Sequence, residues 1–203
     1  MDAIKEFRGD NVFLSNFYQR PIIVDFLPAF VGVHINILTN EHAFQACKTE
    51  DPDQAQLIID AADASIAKKL GRQVKLIDNW DSLRISFMKK VVEAKFNQHI
   101  DLKIKLLMTG ERELVEGNVW RDEFWGISQK TGRGENNLGK ILMEVRSEIK
   151  TAEGNVLQVL KTKLEKDGLG FIGEGVIKLH TAAVDVLAGG SSKALEEAVK
   201  LFV

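Results

Sequence analysis

The chain has 203 residues, which suits one domain of ordinary size or one domain with an appendage. Hydrophobic residues make up 45% and charged residues 28%, so a packed core is expected, while a formal net charge of -2 argues against a non-specific nucleic-acid binder. A site that grips one phosphate locally stays open.

The single cysteine, Cys47, excludes an intramolecular disulfide and fits a reducing cytoplasm. The opening MDAIKEFRGD lacks the basic and apolar regions of a signal peptide, and there is no apolar run of about 18 residues to span a membrane. A soluble cytoplasmic protein without membrane contact is the expectation.

Residues 12–38 read as strands and turns. PIIVDF and VGVHINIL are β-rich and partly alternating, with Pro28 and Gly32 as punctuation. FLSNF before them is loop-like, with Phe13 and Phe17 as aromatic anchors. From Asn40, placed to cap it, NEHAFQACKTE becomes helical and stops at Asp51-Pro52; Asp53 can cap the next helix. DASIAKKLG ends at Gly71, a usual C-terminal place for glycine. In DSLRISFMKKVVEAKFNQHI, Asp81 is the expected cap. Leu83, Phe87 and Val91 form one apolar stripe there, and Met88, Val92 and Phe96 its neighbour. DLKIKLLMTG is a shorter helix closed by Gly110, and ELVEGN and EFWGIS are short strands around a polar turn. NLGKILMEVRSEI is a helix with Leu138, Ile141, Leu142, Val145 and Ile149 inward. Beyond residue 150 the texture changes, and the glycine-bearing DGLGFIGEGV and LAGGSSKALEE suggest an extension of two or three short helices. No chemistry is legible in that extension.

Three features could carry chemistry. Glu41 stands in a first helical turn, where the helix dipole favours its ionised form. It reads either as a general base or as simple helix-end stabilisation. His42 points about 100° away around the helix, and Cys47, without a Cys–His–Asn signature behind it, reads as a small buried residue. The second feature is VWRDEFWG, where Trp120 and Trp125 flank Asp122 and Glu123. Tryptophan faces can stack a base while an acid works on the adjacent sugar, and both rings can equally be core; Trp80 has the same two readings. The third is GRGENNLGK. Gly132, Gly134 and Gly139 leave backbone N–H groups accessible at a helix start, an arrangement that can cradle a phosphate. It is neither a Walker loop nor a dinucleotide fingerprint. Arg8, Lys48, Arg72 and Arg133 are candidate partners for an anion, and the four histidines show no metal-ligand spacing.

Taken in order, FRGDNVFLSNF, EHAFQACK, KLGRQV, NWDSLRISFMKKVVEAKFNQH, LLMTGERELVEGN, DEFWG and GRGENNLGKILMEVR resemble the YbiA-like, or NADAR, family over roughly residues 4–149. The resemblance implies an α+β, mostly helical fold: a compact YbiA-like domain over 1–149, with 150–203 as a helical C-terminal extension outside it. It implies an N-glycosidase that cleaves the C1′–N bond of an ADP-ribosylated base, such as guanine in DNA. The alternatives are hydrolysis of ribosylaminopyrimidine intermediates of riboflavin synthesis and a silent ADP-ribose reader. Glu41 heads the family's Glu-His-x-x-Gln-Ala-x-Lys helix, and Asp122 matches an acid before the Trp125-Gly126 pair, so these two are the implied catalytic residues. A turn one residue longer than the family pattern leaves Glu123 as a rival to Asp122. The substrate-binding residues expected are Asn16, Phe17, Lys48, Arg72, Trp80, Trp120, Trp125, Arg133, Gly134, Asn136 and Gly139. The partner is then a phosphorylated ribosyl or ADP-ribosyl substrate, with ADP-ribosylated DNA as one carrier. The hydrolysis needs no metal or redox cofactor, and the sequence does not set the oligomeric state.

Overall fold

A computed structural model describes residues 2–166 and Lys178, with residues 153–166 described as helical backbone only. The chain divides into two compact units, Met1–Leu102 with Arg112–Val145, and Lys103–Glu111 with Arg146–Val203.

In the first unit, β1 (Ile22–Val24) pairs antiparallel with β2 (Ile35–Ile37), Ile22 opposite Ile37 and Val24 opposite Ile35. The alternation works as a half-buried ribbon should: Ile22 and Val24 are buried and Ile23 is exposed. FLSNF begins inside a 3₁₀ helix over Gly9–Leu14, which takes in Phe13 and Leu14, and only its remainder is loop. Phe13 is a buried anchor, but Phe17 is not, being 43% exposed.

Three short helices follow, and the first two are capped one or two residues before the position expected. Thr39, not Asn40, caps α1 (Asn40–Ala46), its side chain accepting from the N–H of His42. Asp51, not Asp53, caps α2 (Pro52–Ile59), with Pro52 at the first helical position, where its missing N–H costs nothing. Asp63 caps α3 (Ala64–Leu70). Asn79, in the left-handed region at φ 57, rather than Asp81, precedes α4 (Trp80–Gln98). Gly71 ends α3 in a right-handed conformation, so it is not there for backbone freedom. A Cβ on Gly71 would fall on the Gln45 side chain, 2.8 Å from its Cβ.

Every residue of α1 is buried, and α2, α3, α4 and β2 pack around it. A helix buried on all sides should be apolar throughout. α1 instead carries Asn40, Glu41, His42 and Gln45 into the interior, and each needs an internal partner. On α4 the buried positions are Trp80 at its start and then Met88, Val91, Val92, Lys95 and Phe96, whereas Leu83 is 36% exposed. The expected Leu83 stripe therefore begins only at the second half of the helix, because Ser82, Leu83, Ile85 and Ser86 face outward.

After α5 (Ile100–Met108), β3 (Gly117–Asn118) and β4 (Ile127–Ser128) pair in parallel, two residues each. EFWGIS is thus a strand only at its end; Phe124 and Trp125 lie in the turn before it. α6 (Asn137–Lys166) begins with Leu138, Ile141, Leu142 and Val145 buried, as their spacing predicts, and runs unbroken through Gly154 where the sequence suggested a break. DGLGFIGEGV and LAGGSSKALEE lie outside the described residues. In the second unit, Arg146 Nη1 donates to Thr109 Oγ1 across 2.7 Å and Lys150 pairs with Glu111 across 2.7 Å. No helix among the described residues is long and apolar enough to cross a membrane.

Candidate active site

A cavity of about 690 Å³ opens in the first unit. Its walls come from Phe7 and Arg8, from Ser15–Phe17, from α1 through Glu41, Phe44, Gln45 and Lys48, from Lys68 and Arg72 around the end of α3, and from Met88. Glu116 and Gly117, Trp120, Trp125 and Leu138 complete it.

Glu41 is 5% exposed. Its backbone N–H donates to the Asn16 carbonyl across 3.0 Å, and its Oε1 accepts from Gln45 Nε2, one turn on, at 2.8 Å. Burial pushes its carboxyl above the ordinary range; Lys68, Gln45 and Lys48 pull it back, and Asp122 adds to the rise. Beside the helix-dipole expectation for Glu41 stands burial, the largest influence on its carboxyl, which favours the neutral form, while Lys68, Gln45 and Lys48 favour the anion. Asn16 is fixed by its neighbours, its Oδ1 accepting from Asn40 Nδ2 and its Nδ2 directed at Met88 Sδ.

A second acid on the wall is Glu116, whose carboxyl is pushed up to about 7 by burial first and then by Asp122, with Lys68 and Arg8 opposing and Glu41 contributing. Glu116 belongs to ELVEGN, a segment expected only to form a short strand. Asp122 stands beside the cavity rather than on its wall. Its Oδ1 accepts from the Trp125 N–H at 2.9 Å, and its backbone is held at both ends by the Asn118 amide. Glu123 is exposed and engaged by the Thr131 hydroxyl, so of the two rivals Asp122 is the one coupled to Glu41 and Glu116.

Phe44, Trp125 and Trp120 supply the aromatic wall. Phe44 meets Trp125 edge-on, with centroids 5.2 Å apart, and Trp120 is 54% exposed at the rim. Trp80 does not line the cavity. It is 8% exposed, packed between Phe44 and Phe87, and supports the wall from behind. Four cations reach the cavity: Arg8, Lys48, Lys68 and Arg72. Lys48 donates to the Gly71 carbonyl and lies 5.8 Å from the Trp80 ring centroid; burial lowers its pKa, and Glu41 opposes that. Lys68, which the sequence reading missed, sits 5.5 Å from the Phe17 ring centroid. His42 is structural: its Nδ1 bonds Thr39 Oγ1 and its Nε2 the Ala61 carbonyl. Cys47 is buried, and burial pushes its thiol well up, so it is no nucleophile.

The glycine-rich turn is not brought to the cavity. The N–H groups of Glu135, Asn136, Asn137 and Leu138 donate to the carbonyls of Glu123, Gly126, Phe124 and Trp125, so those at the start of α6 are not free to hold phosphate. A Cβ on Gly134, at φ +148, would fall on the Gly126 carbonyl, and one on Gly139 would fall on the Leu114 carbonyl. These glycines allow close backbone packing. Arg133 is exposed and off the cavity wall. Asn136 is buried and works on Glu116, its Oδ1 accepting the Glu116 N–H while its Nδ2 donates to the Leu114 carbonyl. Among the described residues, no group of three or more His, Cys, Asp or Glu could hold a metal ion.

A family model described as the NADAR domain matches residues 5–150. The chain belongs to the NADAR domain family. It is 36% identical over 137 residues to N-glycosidase YbiA of Shigella flexneri serotype 5b, spanning 66% of this chain and 79% of that relative. A riboflavin biosynthesis protein of Vibrio vulnificus is 34% identical over 181 residues, spanning 85% of this chain and 47% of that relative. At that coverage the likeness passes residue 149, further than the sequence motifs alone reach. The NMR structure of Escherichia coli YbiA superposes with a TM-score of 0.65 at 34% identity, covering 75% of this chain and 88% of that one. The NADAR relatives support the expected α+β fold and the expected activity class, a hydrolase acting on N-glycosyl bonds.

Proposed function

We propose that the chain hydrolyses the ribose C1′–N bond of a phosphorylated ribosyl compound, with an ADP-ribosylated base, such as guanine in DNA, as the first substrate to test. The observation that carries this reading is a pair of carboxyls, buried Glu41 and half-buried Glu116, in one cavity with aromatic faces and four cations. Departure of the base leaves an oxocarbenium-like sugar, which an adjacent carboxylate stabilises while activating water. Glu41 has the position for this: Gln45 orients its carboxyl, and Lys48 and Lys68 favour its charged form. Trp125 and Trp120 offer faces for the base. Arg8, Lys48, Lys68 and Arg72 take over the phosphate contacts first assigned to the glycine-rich turn, and four cations suit a diphosphate. A pure ADP-ribose reader gains nothing from two acids held at the cost of burial.

A second substrate reading, a ribosylaminopyrimidine phosphate, is favoured by relatives named as riboflavin biosynthesis proteins in Vibrio vulnificus and Zea mays. Incubating the protein with ADP-ribosyl-guanine DNA and, separately, with a ribosylaminopyrimidine phosphate tests both. Release of ADP-ribose from the DNA alone supports the first, ribose phosphate from the second alone supports the other, and no cleavage of either contradicts the proposed activity.

A further inference from the structure

The leaving base must gain a proton as the C1′–N bond breaks, and one carboxyl on the cavity wall keeps a buried oxygen without a hydrogen-bond partner among the described residues. Glu116 is locked through its backbone, its N–H donating to Asn136 Oδ1 across 3.0 Å and its carbonyl accepting from the Ile127 N–H at 2.9 Å. Gly126 packs against it so tightly that a Cβ there would fall on the Glu116 carbonyl oxygen. Its Oε2 is buried and has no hydrogen-bond partner among the described residues. A buried carboxylate oxygen without a donor is costly, and a protonated carboxyl is less so. The other two acids are differently employed. Glu41 accepts a hydrogen bond from Gln45, which suits an anion. Asp122 spends Oδ1 on the Trp125 N–H and stands off the wall.

We infer that Glu116 is the acid that protonates the leaving base, with Asp122 acting through it as a positioning residue. This rests on the N-glycosidase reading. As the C1′–N bond breaks, its electron pair stays with the base nitrogen, which takes the proton from the Glu116 carboxyl. The water oxygen bonds C1′ and gives its proton to Glu41. The products are a base bearing N–H and a sugar bearing a C1′ hydroxyl, and solvent returns the proton from Glu41 to Glu116. Four charged groups act on the Glu116 carboxyl: Asp122 and Glu41 raise its pKa, and Lys68 and Arg8 lower it. Burial adds to the rise, giving a value of about 7, suited to a proton donor at neutral pH.

The test is kcat/KM against pH on whichever of the two substrates the wild-type protein cleaves. Glu116→Gln, checked by thermal melt, is expected to lose on the order of 10²–10⁴-fold at pH 7 and to lose the alkaline limb of the profile. Asp122→Asn removes a charge that favours the protonated form, so its alkaline limb moves to lower pH. Lys68→Met removes a charge that opposes it, so its limb moves to higher pH. A folded Glu116→Gln protein with the wild-type rate and limb overturns the inference, as do limbs that stay in place in both charge variants. Failure of the wild-type protein to cleave either substrate would instead strike the N-glycosidase reading itself.

Discussion

Gln45 holds Glu41 from one helical turn away, Nε2 to Oε1 at 2.8 Å, and Gly71 leaves the space in which Gln45 does so. A methyl on Gly71 meets the Gln45 side chain near its root as well as at its tip, so swinging the amide aside does not relieve it. Gly71→Ala is expected to cost about 1–3 kcal/mol of stability through overpacking and to displace the Glu41 carboxyl. A misplacement of that kind is worth on the order of 10²-fold in rate. Denaturant melts and single-turnover cleavage on the same preparation check both effects.

Lys95 is 1% exposed on α4, and its Nζ donates to the Ser15 carbonyl across 2.9 Å. Burial lowers its pKa from 10.5 to about 7, so folding favours the neutral amine. The stability this contributes is present above the ordinary value of 10.5 and is lost as pH falls through about 7. Lys95→Met is therefore expected to raise the melting temperature at pH 6 more than at pH 9. An equal change at both pH values contradicts the assignment.

The Glu116 carboxyl carries the opposite sign. Its folded pKa, about 7, lies above the ordinary 4.5, so the stability of its protonated form is complete below 4.5 and is lost as pH rises through about 7. Glu116→Gln should melt higher than the wild-type protein at pH 8 and no higher near pH 4. Such a gain would accompany the loss of activity expected for this variant, the usual trade at a functional site.

Much of this was legible in the sequence. The β1–β2 ribbon, the order of helices and the inward face of α6 follow from alternation and helical spacing, because burial enforces those periods along the chain. The caps were each misplaced by one or two residues because Thr39 and Asn40, Asp51 and Asp53, and Asn79 and Asp81 are rival capping types close together. Backbone conformation, not residue type, decides between them. Glu41, Asn16, Lys48 and Trp125, all expected at the site, line one cavity. Glu116 and Lys68 stayed hidden because their character arises from burial and from neighbours far away in the chain. The only local hint was a second acid six residues before Asp122. The glycine-rich turn misled for the same reason: its N–H groups look free in sequence and are taken up by the carbonyls of the 123–126 turn.

Trp120 stands on the cavity rim at 54% exposure, opened to solvent by a turn that includes Arg121 at φ 63. If it stacks on the base, Trp120→Ala should raise KM by the equivalent of about 1–3 kcal/mol and leave the melting temperature unchanged. Isothermal titration with the free leaving base and with ADP-ribose separates the effects, because only a ligand carrying the leaving base should lose affinity.

The most direct test of the account is single-turnover base release by Glu41→Gln beside the wild-type protein, on the substrate the wild type cleaves. Glu41 is the buried carboxyl assigned to the sugar and the attacking water. Glutamine keeps its shape and removes the charge. The account predicts an unchanged fold by thermal melt and a rate lower by on the order of 10²–10⁴-fold; a folded Glu41→Gln protein that releases base at the wild-type rate would contradict it.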